Sequence, residues 1–306
     1  MKRSIAPAVL ALCLAFHVID PAFALAEEQQ ELPPNPMITT EYIPPSLQVH
    51  SDRLKARKVL EEFSQFLSPL KLDKPLKLTT AQCDKVDANY NGDGVVTMCL
   101  ELVRHFHTNM AAFVDGKLYF DRKKLVFTMR SGDTTIPLKP RVPGITPGEA
   151  AVGGFVGVFL HELGHAVFHL LEVPVLGREE HAADEIAALI MVQFGEDVAR
   201  TAIKGAAALW DLSSQIDEYL TFPYYDEHSA GLQRLGTFLC VAYGHHPARF
   251  QDMVDVGLLP PARAKSCESE YAEIAAAFNA TIKPKIDDAL LAKVKAKKWL
   301  RPEELN

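Results

Sequence analysis

The spacing of apolar residues predicts that the second half of the chain is mainly helical. From Gly148 to about Leu171 nearly every residue outside one short polar motif is apolar, which is typical of a buried helix. Thr146, Pro147 and Glu149 form a capping-box pattern at its start. Helical spacing continues in five later segments, which are 178–194, 198–219, 231–243, 268–278 and 283–298.

The first half of the chain mixes helical and strand patterns. Helical spacing covers 51–66 and 100–112, whereas shorter alternating runs at 76–80, 117–120 and 125–129 predict strands. The run Asn91-Gly92-Asp93-Gly94 predicts a tight hairpin turn. It also matches part of a calcium loop, but Met98 stands where that loop needs a glutamate, which favours the hairpin. The expected class is α+β, mainly helical with a small sheet.

The N-terminus has the pattern of a secretory signal. Lys2 and Arg3 precede an apolar run, and small residues end at Ala26, after which we predict cleavage. Residues 27–48 are acidic and then proline-rich, which predicts an extended lead-in with regular structure beginning after it. The domain would then span 49–306, as one unit or as two lobes, 49–145 and 146–306. We therefore expect a periplasmic or secreted protein.

Charge and cysteine content narrow the possible partners and the compartment. The net charge of −7 argues against a nucleic-acid partner. Four cysteines remain after the predicted signal, and an even number in an exported protein suggests disulfides. The simplest of the three possible pairings joins Cys83 to Cys99 and Cys240 to Cys267. Only the stretch 152–176 approaches the length of a membrane span, so no integral membrane segment is expected in the mature chain.

The polar motif inside the long apolar helix is His161-Glu162-Leu163-Gly164-His165. Residues four apart lie on one face of a helix, so both imidazoles can reach one zinc ion. Glu162 stands close enough to take a proton from a water molecule at that ion. Two histidines and a glutamate would be costly to bury in an apolar helix without a metal or other partners, which favours the metal site.

A catalytic zinc site needs a third protein ligand from another part of the chain. Leu171 and Phe168 occupy the positions where a metzincin would have its third histidine and its glycine, which excludes that type. Glu180 is the predicted ligand, and Asp184, one turn later, would accept the other ring N–H of a ligand histidine. The competitors are His181 and Glu179, which points about 100° away and could be an exposed acid at the helix start.

Two further histidines need an interpretation. His169 continues the spacing of the motif, but its face drifts by about 40° per step, so we expect a buried or supporting histidine. His228 ends the cluster Tyr224-Tyr225-Asp226-Glu227-His228 and is a candidate catalytic residue that stabilises an oxyanion. A polar turn with a helix cap at Asp226 is the alternative, and Arg234 would then pair with Glu227 or Asp226.

The motif followed by Glu180-His-Ala-Ala-Asp184 resembles the gluzincins, the thermolysin-type metallopeptidases. Further motifs resemble one bacterial metallopeptidase family classed as a domain of unknown function, from about Glu41 to Cys267. They are Glu41-Tyr-Ile-Pro-Pro45, the Cys83–Cys99 hairpin, Leu100-Glu101-Leu102, Asp226-Glu227-His228 and Gln233-Arg234. The resemblance implies a zincin-like fold with zinc at His161, His165 and Glu180 and with Glu162 as the base. No counterpart of thermolysin's substrate-binding strand is recognisable in the sequence.

These patterns together predict an exported zinc metallopeptidase that acts on a peptide or protein substrate. One alternative is a non-catalytic, zinc-containing binding protein of the cell envelope. The other is a membrane-embedded protease, which would need several long apolar spans.

Overall fold

A computed structural model of the chain describes residues 32–44, 48–217, 219–220, 225–297 and 299. The predicted signal segment, 1–26, lies outside these residues. The described residues form one compact unit.

Four strands form the first sheet, in the order β1-β2-β4-β3. They are β1 (Ile38–Tyr42), β2 (Leu76–Ala81), β3 (Ala88–Tyr90) and β4 (Val95–Cys99). β1, β2 and β4 are parallel, and β3 pairs antiparallel with β4. The predicted hairpin is therefore confirmed, and the side-chain oxygen of Asn91 accepts the backbone N–H groups of Asp93 and Val95 at its turn.

The expectation that regular structure begins only after residue 48 is wrong, because β1 lies within the proline-rich lead-in. Ile38 is buried against the core, and its strand pairs with β2 along its whole length. Tyr42 at the end of β1 hydrogen-bonds the carboxylate of Glu61 at 2.7 Å and accepts the N–H of Leu60 at 3.0 Å. A sheet partner supplied by a distant segment explains why local composition did not predict this strand.

The single helix expected over 51–66 is two helices, α1 (Gln48–Ala56) and α2 (Val59–Phe66), because the backbone turns at Lys58 with φ at 52°. The helix expected over 100–112 is confirmed as a continuous helical segment with three parts. These are α3 (Leu100–His105), a π-helical turn (Phe106–Met110) and α4 (Ala111–Val114). A second sheet follows, made of β5 (Tyr119–Asp121), β6 (Val126–Thr128) and β7 (Thr135–Pro137) in the order β6-β5-β7.

The long helix α5 (Pro147–Leu170) runs through the core, and its capping box is present. The Thr146 hydroxyl accepts the N–H of Glu149, whose carboxylate accepts the N–H of Thr146. Among the described residues, α5 is the one helix long and apolar enough to cross a membrane, and 72% of its most apolar window is buried inside the protein. Packing in the core accounts for that composition.

Helices form the rest of the chain. They are α6 (Glu179–Met191), α7 (Glu196–Asp217), α8 (Gly231–His245), α9 (Pro247–Asp255), α10 (Pro261–Thr281) and α11 (Asp288–Ala296), with a short 3-10 turn (Lys283–Lys285) before α11. α6 and α7 pack on α5, and α8 packs on α7 and α10. The mainly helical α+β class predicted from the sequence is confirmed.

Two disulfides cross-link the fold in the simplest of the predicted pairings. Cys83 bonds Cys99 and ties the segment before β3 to the end of β4. Cys240 bonds Cys267 and ties α8 to α10. Disulfides persist in oxidising compartments, so the pair indicates an extracytoplasmic location.

Candidate metal centre

The packing of α6 against α5 brings the two sequence motifs together. Asp184 lies beside His161 and Glu179 lies beside His165, so the two helices run antiparallel. Gly164 makes this approach possible, because a Cβ atom there would lie 2.8 Å from Cγ2 of Ile186 and 3.2 Å from the Cα of Ala183. The glycine inside the motif therefore sets the distance at which α6 can present carboxylates to the imidazoles.

The side chains of the three predicted ligands lie close together. Nε2 of His161 lies 3.0 Å from Oε2 of Glu180, Nε2 of His165 lies 3.5 Å from Oε1, and the two nitrogens are 3.3 Å apart. Donors bound tetrahedrally to zinc at its usual bond lengths stand about 3.4 Å from one another. The separations therefore fit a single ion held by His161, His165 and Glu180.

The far nitrogen of His161 is held by a buried carboxylate. Nδ1 of His161 lies 2.9 Å from Oδ1 of Asp184, which is 1% exposed. Arg234 donates to both oxygens of Asp184, and its guanidinium lies 3.6 Å from the centre of the Trp210 ring. Burial alone would raise the pKa of Asp184, but Arg234, together with His161, holds that pKa below its usual value. The carboxylate therefore remains charged and can fix the ring of His161.

The pairing expected for Arg234, with Glu227 or Asp226, is therefore wrong. Arg234 lies on α8 and reaches Asp184 on α6, a contact between residues 50 positions apart. This buried ion pair joins the metal centre to the helical layer behind it. No local spacing in the sequence relates Arg234 to Asp184.

Glu179 also belongs to the centre, whereas sequence spacing alone favoured an exposed acid that faces away. Its Oε1 lies 2.7 Å from Nδ1 of His165, although its side chain remains 55% exposed. A glutamate in the first turn of a helix has a long side chain and no preceding turn to restrict it. It can therefore reach a neighbour that the helical-face argument excludes. Adjacent Glu179 and Glu180 thus contact the two ends of one imidazole.

His228 is brought to the same carboxylate. Its Nε2 lies 3.0 Å from Oε2 of Glu180, and its Nδ1 lies 3.1 Å from Oδ1 of Asp226. Asp226 also accepts the backbone N–H of His228, which fixes the turn that carries the imidazole. A second possible set of ligands consists of His161, Glu180 and His228, whose donor atoms lie within 4.8 Å of one another. This set could also hold an ion. Tyr225 is 91% exposed, and Tyr224 lies outside the described residues.

Glu162 lies between the motif histidines and the edge strand β3. Burial raises the pKa of its carboxylate, whereas His161, His165 and a hydrogen bond with the backbone of Tyr90 act in the opposite direction. The net result is a raised pKa, which suits a group that must hold a proton and release it again.

His169 is exposed, so the first of its two expected roles, a buried histidine, is wrong, whereas a supporting role stays a prediction. Its Nδ1 lies 2.6 Å from the hydroxyl of Tyr90, which also accepts the N–H of Gly94 in the hairpin. The angular drift along α5 thus turns His169 away from the other imidazoles and towards the hairpin that carries Tyr90.

The charge around the donors favours a cation. Burial lowers the pKa of the His165 imidazole, but the carboxylates of Glu180 and Glu179 outweigh it and raise that pKa to about 9. Burial would also raise the pKa of Glu180, whereas the three neighbouring imidazoles lower it well below its usual range. Carboxylates and imidazoles at this spacing form a donor set that a divalent ion can neutralise.

A protein-family model described as "Putative metallopeptidase" matches residues 42–282. The matched range contains every donor of the centre and both disulfides. No match was found among curated proteins, and none among solved structures.

Proposed function

The chain belongs to this metallopeptidase family, and from that premise we propose that it is an exported zinc-dependent peptidase. Family membership indicates peptide hydrolysis with a metal ion. The observation that carries the more specific proposal is the convergence of His161, His165 and Glu180 from two helices, 3.0 to 3.5 Å apart, with Glu162 beside them.

Zinc is the metal that this donor set favours. Two imidazoles and one carboxylate are typical ligands of catalytic zinc, whereas calcium and magnesium prefer sites made of oxygen. Three protein ligands leave a position for water, which a structural site would fill with a fourth side chain. When bound, zinc would lower the pKa of a water molecule and polarise the substrate carbonyl.

The neighbouring side chains transfer the proton and orient the ligand histidines. Glu162 takes the proton of the attacking water and gives it to the leaving amine, so it acts first as base and then as acid. Asp184 and Glu179 each accept an Nδ1–H, which leaves the Nε2 lone pairs of His161 and His165 free to point at the ion. Arg234 keeps Asp184 in place.

We assign His228 to the substrate rather than to the ion. Its side chain is 52% exposed, in contrast to 4% for His161, so it can contact a bound peptide. Its ring N–H would donate a hydrogen bond to the carbonyl oxygen as negative charge develops there. Asp226 holds the other ring nitrogen and orients the donor.

We expect His228→Gln to lower kcat about 100-fold while leaving the bound zinc unchanged, because a donor to the transition state is lost. Steady-state kinetics and elemental analysis of the same preparation measure both quantities. Replacing exposed His245, at the end of α8, with glutamine provides the control for loss of an imidazole. If the His228 variant lost its zinc, the residue would be a ligand and the assignment to the substrate would be wrong.

The proposed function is tested on the chain purified after export. Elemental analysis should give one zinc per molecule, and intact mass should show that the chain begins at Glu27. A peptide-library digest should yield cleavage products that 1,10-phenanthroline abolishes and added zinc restores. Hydrolysis that resists the chelator would refute a metallopeptidase. One zinc without cleavage of any peptide would instead favour the non-catalytic envelope binding protein.

A further inference from the structure

A second concave site lies on the other half of α5. It is a groove of about 800 Å³ between α1, α2, the π-helical turn and the start of α5. The part of α5 that lines the groove runs from Pro147 to Val156 and ends before the first metal-site residue, His161. Most of the lining is apolar and includes Phe63, Val103, Phe106, Val152, Phe155 and Trp299.

The face of α5 in this groove is apolar but only partly covered. Gly148, Ala151, Val152 and Phe155 are spaced as one helical stripe, and each is half-buried. Elsewhere α5 buries its apolar residues against α6 and α7. The stripe therefore offers apolar surface whose burial by a ligand would be favourable, at about 25 cal/mol per Å².

Two arginines and a histidine line part of the groove. Arg53, Arg57 and His107 are among its lining residues, and the rings of His107 and His50 stack with centroids 6.0 Å apart. Among the residues that the structure describes, the guanidinium of Arg53 makes no hydrogen bond or ion pair. The same holds for the guanidinium of Arg104, which lies near His50. Glu62 is the one carboxylate among the described lining residues. In an acidic protein this is a local excess of positive charge.

Two further observations indicate that the positive part of the groove is a site rather than a solvated surface. Nδ1 of His50 is buried and has no hydrogen-bond partner among the described residues. His107 lies in a π-helical turn, a distortion that is often retained where it places a side chain for function. Burial lowers the pKa of His50 and of His107, and the nearby arginines lower both further, which agrees with a positive potential there.

We propose that this groove binds a free medium- or long-chain carboxylate, with the acyl chain along the α5 stripe and the carboxylate at Arg53 and His107, near the positive charge of Arg104. Its volume lies within the range of about 300–1,000 Å³ that is usual for small-molecule sites. A ligand with one apolar chain and one anionic end matches both the lining and the charge. Arginine is suited to carboxylate recognition because its planar fork donates two parallel hydrogen bonds.

The test measures binding of dodecanoate to the exported chain by isothermal titration calorimetry, below the micellar concentration. Dodecyltrimethylammonium has the same chain with a positive head and serves as the ligand control. We expect saturable one-to-one binding of dodecanoate and at least tenfold weaker binding of the cation. Arg53→Gln combined with Arg104→Gln should weaken dodecanoate at least tenfold. Arg130→Gln, a matched exposed arginine on another part of the fold, should change it less than twofold.

Thermal unfolding checks that all variants are folded, and both arginines of the double variant are exposed, so little loss of stability is expected. A second variant, Ala151→Asp, places a negative charge on the half-buried stripe and should also weaken dodecanoate. Equal affinity for the two head groups, or unchanged binding by the double arginine variant, would overturn the proposal. Sedimentation with phosphatidylglycerol vesicles without binding of free dodecanoate would also overturn it and indicate a membrane surface instead.

Discussion

Replacing Glu162 with glutamine is expected to lower kcat about 1,000-fold while zinc stays bound. Glutamine keeps the size and the hydrogen-bonding oxygen of the side chain but cannot accept and return a proton, and general acid–base catalysis is usually worth about 100- to 10,000-fold. Glu162 is not among the atoms that converge on the ion, so the donor set should remain intact. The measurement pairs single-turnover cleavage of a library-derived peptide with elemental analysis.

Glu172→Gln provides the matched control, because Glu172 lies just beyond the end of α5 and its side chain is 81% exposed. It should leave both turnover and zinc unchanged. Turnover that survived in the Glu162 variant would contradict the mechanism. Loss of zinc in that variant would show that the carboxylate helps to hold the ion.

The side-chain positions of the candidate centre that sequence spacing could predict are those set by one helix at a time, while the role of these residues as ligands stays a prediction. His161 and His165 share a face of α5 because they are four residues apart, and Glu180 and Asp184 share a face of α6 for the same reason. Because the loop between α5 and α6 is short, the two helices can bring these faces together by packing antiparallel. The capping box and the hairpin were predictable for the same reason, since each depends on neighbours within a few residues.

The features that sequence reasoning missed depend on contacts between distant segments. Arg234 contacts Asp184, which lies 50 residues earlier in the chain. Strand β1 pairs with β2, although the composition of the β1 segment suggested an extended lead-in. Neither contact has a local periodic signal. Glu179 was misplaced for another reason, because helical-face arguments assume an average side-chain direction that a first-turn glutamate need not follow.

The pair formed by Asp184 on α6 and Arg234 on α8 supports the ring of His161. Asp184 is buried with Arg234, and truncating one partner of such a pair leaves the other charge buried without compensation. Arg234 stacks on Trp210 of α7, so α6, α7 and α8 meet behind His161. Variants of Asp184 or Arg234 would therefore change stability and metal binding together, which makes them poor tests of the ligand assignment.

Variants of Glu180 and Glu179 test the ligand assignment better than variants of Asp184 or Arg234. The two glutamates are adjacent, chemically identical and both contact His165. Glu180→Ala is expected to weaken zinc binding more than 100-fold, since it removes a ligand from a site of three. Glu179→Ala should weaken it only about tenfold, because it removes a partner that orients a ligand, and such partners are usually worth 10- to 100-fold. Competition with a fluorescent zinc chelator at fixed pH measures both affinities.

The difference in zinc affinity between the two variants decides whether Glu180 is a ligand. Each removes one carboxylate from the same helix turn, so the general loss of negative charge near the ion is similar in both. A ligand bond is lost only with Glu180, whose oxygens lie 3.0 Å from His161 Nε2 and 3.5 Å from His165 Nε2. Equal losses would mean that the two acids act through charge alone. A full zinc complement in Glu180→Ala would instead refute Glu180 as the third ligand and favour His228, whose donor atom lies within 4.8 Å of that of His161.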